Sequence, residues 1–138
     1  MKLELHLIPQ TSFYSNLRNK IGRTEWDKLS RKIRSERNFT CELCGSTNKT
    51  HLHEVWEFKK NIQKLVRFEC VCQTCHAVHH WGLSEVQGRN MDFLTKHACK
   101  VNDCTLNQWH AHLNESFRTW TKRSEKQWKV DVSFLKQA

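Results

Sequence analysis

The stretch Cys41-Glu42-Leu43-Cys44-Gly45, answered 27 residues later by Cys72-Gln73-Thr74-Cys75-His76-Ala77-Val78-His79-His80, decides how this chain is read. Two Cys-x2-Cys pairs offer four thiolates in the grouping that tetrahedral Zn²⁺ takes, with Zn–S near ~2.3 Å. Gly45 permits the tight turn that leaves the first pair. The second pair is expected where a helix begins, and backbone N–H groups there favour the thiolate form. Cys41, Cys44, Cys72 and Cys75 are therefore the expected ligands of one structural Zn²⁺. Four thiolates leave no open coordination position, so this ion serves folding and not catalysis. Cys70 is an alternative ligand by spacing, but strand alternation turns it off the knuckle, and it reads as a buried thiol.

Composition agrees with a metal-stapled fold. The chain has 138 residues and 38% hydrophobic content, six of its residues being Trp, enough for one modest core that a metal staple would supplement. Its seven cysteines are an odd number, so full disulfide pairing within one chain is impossible. The opening Met1–Pro9 is too short and polar for a signal peptide, and no apolar run approaches a membrane span. A reducing cytoplasm is the expected location, where clustered cysteines mean metal or buried thiols.

Outward from the knuckles, residues 50–58 and 64–71 read as two strands of a hairpin around Lys59-Lys60-Asn61. A helix is expected from Cys72 to about Trp81, stopped by Gly82. Upstream, Thr24 and Asp27 resemble a capping box opening a helix over 25–37, with Trp26, Leu29 and Ile33 as its apolar stripe. Residues 2–8 alternate Leu3, Leu5 and Leu7 with Glu4, His6 and Ile8, which predicts a short strand ended by Pro9. Residues 10–23 read as loop with a helical turn. Downstream, Ser84 and Gln87 predict the start of a helix carrying Met91, Leu94, Ala98 and Val101. Thr105 and Gln108 predict a second, over 106–123, with Trp109, Leu113, Phe117 and Trp120 on one face. Residues 128–134 read as a closing extended segment. The expected fold class is α+β in one domain over 1–138: a strand and basic helix in 1–40, the zinc core in 41–82, and a helical tail in 83–138.

The histidines beside the knuckles form the second constellation. His53 shares a strand face with His51 and Val55, while His76 and His80 lie four apart on one helix face. A hairpin and helix pinned by zinc would set His53 opposite His76 and His80. This arrangement of knuckle, histidine-bearing hairpin, second knuckle and Cys-His-x3-His helix resembles the HNH (ββα-metal) endonuclease family in its treble-clef form, over residues 41–81. More loosely, Pro9-Gln10-Thr11-Ser12-Phe13-Tyr14-Ser15-Asn16, His53-Glu54-Val55-Trp56-Glu57 and the basic helical tail are similar to bacterial and phage proteins of that type. The resemblance implies a zinc-stapled ββα-metal core, His53 as general base, and His76 and His80 as ligands of a second divalent metal: Mg²⁺, Mn²⁺, Ni²⁺ or Zn²⁺. The chain departs from the family at Leu52, where Asp or His is usual, and near Arg67, where the family's central Asn would fall.

The formal net charge of +9 favours a polyanionic partner. Arg31, Lys32, Arg34, Lys59, Lys60 and Arg67 are candidate phosphate contacts, largely independent of sequence and sensitive to salt. Lys122, Arg123, Lys126 and Lys129 add a basic group near the end. Cys99 and Cys104, with His97, His110 and His112, match no standard knuckle and read as small apolar residues. The leading expectation is a metal-dependent nuclease acting on DNA. The alternatives are a non-catalytic zinc module that binds nucleic acid, and a phage-type inhibitor that binds a host protein.

Overall fold

The structure is a computed structural model and describes residues 1–13 and 17–137; Tyr14, Ser15 and Asn16 of the opening motif lie outside the described residues. Strands β1 (Thr50–Lys59) and β2 (Ile62–Cys72) form an antiparallel hairpin. Lys60 and Asn61 alone make its turn, with φ of 51° and 63°. Two consecutive positive φ values define a type I′ turn, whose twist matches that of the flanking strands. So short a turn leaves Lys59 and Gln63 inside the ladder, and both strands run longer than the sequence implied. A bulge interrupts the register, pairing Val55 with Arg67 but Trp56 with Leu65. The extra residue, Val66, brings Leu65 and Phe68 to the same core although they stand three apart. Strand β3 (Lys129–Asp131) adds to β2 in parallel, giving a mixed sheet of order β1-β2-β3. The expected closing segment is thus strand only in part, and Ser133–Gln137 is a 3-10 helix.

The hairpin separates two cores. On one side Leu52, Leu65 and Phe68 meet Trp26 and Ile33 of α2 (Arg23–Glu36) and Leu17 of α1 (Leu17–Ile21). On the other, Val71 joins Ala77 and Val78 of α3 (Gln73–His79) and Trp81 of α4 (Trp81–Val86). Leu94 and Ala98 of α5 (Met91–Asn102) and Trp109 of α6 (Leu106–Ser124) complete this second core. The fold is α+β, and among the described residues no helix is long and apolar enough to cross a membrane.

Several helix boundaries differ from the sequence reading. Gly22, with φ 84°, caps α2, and Thr24 lies inside its first turn with no capping bond. The helix after Cys72 breaks at His80 (φ −97°, ψ 49°), and Gly82 lies within α4 and stops nothing. Ser84 is buried in α4, where its hydroxyl donates to the Ala77 carbonyl at 2.8 Å. Asn90 instead caps α5, accepting from the Phe93 N–H at 3.1 Å. Competition for the Ser84 hydroxyl from a nearby carbonyl explains why its capping pattern misled. The Thr105–Gln108 capping box forms as expected.

Residues 2–8 are extended but join no ladder; side chains satisfy their backbone instead. Asn102 Oδ1 accepts from the Leu3 N–H at 2.7 Å, and Asn102 Nδ2 donates to the Leu3 carbonyl at 2.7 Å. The Leu5 N–H donates to His112 Nε2 at 3.1 Å, and the His6 N–H to the His79 carbonyl at 2.9 Å. Leu3 and Leu5 are buried by these bonds, so alternation identified the inner face while the partners came from helices. Replacing Asn102 by Ala strands both Leu3 backbone groups. We expect a loss of about 1–3 kcal/mol in urea unfolding, with faster amide exchange over residues 3–6 than in the wild type.

Candidate metal centre

Cys72 is both the last residue of β2 and the N-cap of α3, accepting at Sγ from the Cys75 N–H at 3.4 Å. The chain therefore passes from strand to helix at one of the clustered sulfur atoms. The loop after α2 supplies Cys41 and Cys44. It is closed by the Gly45 N–H on the Cys41 carbonyl at 3.0 Å, and Gly45 takes φ 79°. The Sγ atoms of Cys41, Cys44, Cys72 and Cys75 all lie within 4.8 Å of one another. These four cysteines could hold a zinc ion. Their acidities point the same way. Hydrogen bonds from the Cys72 and Cys75 thiols hold Cys41 far below the ordinary thiol range, while Cys72 is pushed up to about 11 and Cys75 higher still by sharing protons with Cys41. One anion suppresses the next, and a bound cation is what would let all four ionise.

His97, on α5, approaches Cys75 Sγ with Nε2 at 3.1 Å, a sulfur contact that the sequence reading did not foresee. Cys70 is fully buried and its backbone is paired with Glu42, so it stays out of the cluster. Cys99, within α5, and Cys104, just after it, pack against the second core.

The same junction lays α3 across the face of β1 that carries His51 and His53. Strand alternation sends Leu52 the other way, into the core against α2, where it is 3% exposed. Ligand nitrogens of His53, His76 and His80 fall within 4.8 Å of one another. His51 joins their edge, its Nδ1 2.9 Å from His76 Nδ1. His53, His76 and His80 line a cleft of about 300 Å³ with Arg18, Glu54, Trp56 and Leu83 also on its walls, and burial raises the Glu54 pKa against the pull of the Arg18 charge. Burial, and then the neighbouring rings, depress His80 to about 4 and His76 to about 2, and push His53 well below its usual value. At neutral pH these rings are uncharged and have lone pairs to give, the state a metal needs.

Behind them lies a second layer. His79 is buried, with Nδ1 2.7 Å from the Glu4 carbonyl and Nε2 3.1 Å from Glu69 Oε1. Both His79 nitrogens are thus engaged by oxygen atoms. His6, His53 and His79 also cluster within 4.8 Å, but the Glu4 carbonyl and Glu69 already occupy the two nitrogens of His79. Arg67 bonds Glu69 Oε2 at 2.8 Å. Burial works against the Glu69 charge, but the bonds from His79 and Arg67 outweigh it and hold its pKa at about 2.

The basic candidates divide by position. Arg31 and Lys32 are exposed on α2, and Lys59 and Lys60 are exposed at the hairpin tip beside Lys122, Arg123 and Lys126. Arg34 donates to Ser30 Oγ at 2.9 Å and to the Thr50 carbonyl at 3.2 Å, and Arg67 is engaged by Glu69; both have structural partners. Trp81 and Trp109 are core, in edge contact with ring centroids 5.6 Å apart. Sequence reasoning missed Glu4, His6 and Glu69. Their types were visible, but no local spacing ties them to His53.

No family model, curated protein or solved structure matches the chain, so these geometries carry the functional argument alone.

Two outcomes follow. Purified protein should carry one Zn²⁺ per chain that resists mild chelation, and Cys72→Ser should lose it and its cooperative unfolding, read by metal analysis and thermal melts. Glu69 has its folded pKa below the ordinary 4.5, so it stabilises the fold above pH 4.5. That contribution disappears as pH falls through about 2. The stability gap between wild type and Glu69→Gln should therefore shrink over that window in urea titrations.

Proposed function

We propose that this protein is a metal-dependent endonuclease of the HNH type, hydrolysing DNA phosphodiester bonds, with a structural Zn²⁺ on Cys41, Cys44, Cys72 and Cys75. The observation that carries the reading is the convergence of His53 from β1 with His76 of α3 and His80 at the end of that helix, in an open cleft beside the four-cysteine cluster. One strand and one helix with its C-terminal residue thus bring three imidazoles to one cleft, a donor set of the kind the ββα-metal resemblance calls for. A divalent ion held there would supply Lewis-acid charge to a scissile phosphate. Three imidazoles make up the candidate donor set, which favours Zn²⁺ or Ni²⁺ over Mg²⁺; the Glu54 carboxylate also lines the cleft but is not one of the three.

The chain's own residues divide the remaining work. His76 and His80 hold the ion. His53 is neutral and can take a proton from water as general base, the role the resemblance gives it; its place among the other two rings also suits it as third ligand. Arg18 on the cleft wall is set to contact a phosphate oxygen. Arg31, Lys32, Lys59 and Lys60 would bind flanking phosphates in a salt-dependent way. One observation favours a non-catalytic nucleic-acid module instead: Leu52 is buried in the α2 core, so the position of the family's usual ligand is apolar.

Metal-stripped protein refilled with Zn²⁺, Ni²⁺, Mn²⁺ or Mg²⁺ should nick supercoiled plasmid, best with the first two. A folded His53→Ala should fall by at least about 100-fold. If that variant still binds the second metal, His53 is the base; if it binds none, His53 is a ligand. Absence of cleavage on supercoiled, branched and single-stranded DNA, with retardation of DNA retained, would replace the nuclease by the binding module.

A further inference from the structure

His6 reaches the candidate centre from the N-terminal segment, 47 residues from His53 in sequence. Its Nδ1 lies 2.7 Å from His53 Nε2. The two rings are nearly coplanar, with centroids 5.0 Å apart and planes within 13°. This is the geometry of an in-plane N–H···N hydrogen bond. It is also too short for two ligands of one tetrahedral ion, whose nitrogens at Zn–N near ~2.0–2.1 Å stand roughly 3.4 Å apart. The hydrogen-bonded pair lies flat on His79, at 4.0 Å for His6 and 4.3 Å for His53, with planes within 10°. His79 is itself fixed by Glu69 and by the Glu4 carbonyl. The other nitrogen of His6, Nε2, faces Glu4 Oε1 at 3.4 Å.

A neutral imidazole has one N–H and one lone pair. The Glu4 carboxylate only accepts, so it draws the His6 proton to Nε2. His6 Nδ1 then holds the lone pair and must accept from His53, which places the His53 proton on Nε2. We infer that His6, held by Glu4, is a positioning residue that fixes His53 in the Nε2–H tautomer and leaves its lone pair at Nδ1 for metal or proton. A carboxylate–imidazole–imidazole line of this kind orients a ligand ring and raises its basicity. The inference rests on the reading of His53, His76 and His80 as a metal centre. It explains why an extended segment with no strand partner is latched so closely to α5 and α6: the segment delivers one ring to the site.

Long-range ¹H–¹⁵N spectra of the imidazoles in the full chain, zinc-loaded at the cysteines, read the tautomer directly. The expected result is a protonated Nε2 on His53. A proton on His53 Nδ1 overturns the inference, and this reading needs neither cleavage nor a second metal, so it stands or falls apart from the nuclease assignment. Co²⁺ titration of the histidine cluster gives the second measure. His6→Ala should weaken binding by about 10–100-fold. His6→Asn, whose Oδ1 can accept in place of Nδ1, should restore most of it. Equal loss in both variants would make His6 a ligand or a packing element, and no loss in either would make it a bystander; each overturns the assignment. The Co²⁺–thiolate bands of a parallel cobalt-loaded sample report whether each variant has folded.

Discussion

Four sulfur atoms drawn into one space less than 5 Å across set the geometry that the rest of the structure uses. Thiols that close compete for protons, and each anion formed suppresses the next. A bound cation would turn that mutual suppression into attraction and tie the loop after α2 to the junction where β2 ends and α3 begins. Because Cys72 ends the strand and caps the helix, the chain has no slack with which to redirect α3. The helix must lie across the hairpin, and it presents His76 and His80 to whatever β1 carries on that face.

What β1 carries follows from a period of two. His51 and His53 face α3, and Leu52 and the bulge-corrected pair Leu65 and Phe68 face α2. Leu52 is therefore a core residue, and His51 is the neighbour that the pleat turns toward His76. The result is a cluster of imidazoles with Arg18 and Glu54 on the same cleft wall. Burial keeps such rings neutral, which would suit them to a borderline metal.

The layer behind the centre is polar and satisfied: exposed Arg67, buried Glu69 and His79, and the Glu4 carbonyl form one connected line. Leaving Glu69 or His79 unpaired would be costly, since buried polar groups are expensive chiefly when alone. This gives a site at the edge of a small protein a rigid backing, against which His6 and His53 stack. The N-terminal segment is thus held to α5, α6 and the end of α3 by side chains and a single backbone bond, where a sheet would have used a ladder.

The sequence by itself determined the cysteine cluster, the hairpin, the face shared by His51 and His53, the pairing of His76 with His80, and the stripes that became the two cores. All of these are local: spacing, alternation and helical periodicity act within a few residues and can be read without a partner. The capping patterns at Thr24 and Ser84 were equally local and still misled, because a hydroxyl can bond a carbonyl or point to solvent, and only packing chooses. Tertiary structure alone decided that His80 would break its helix, that residues 2–8 would find helices and no strand, and that Glu4, His6, Glu69 and His97 would back the two clusters. The contacts between these segments join residues 10 to 107 positions apart, and no spacing rule reaches across such distances. They exist because the folded chain buried polar groups that had to be answered by whichever donors and acceptors lay nearby.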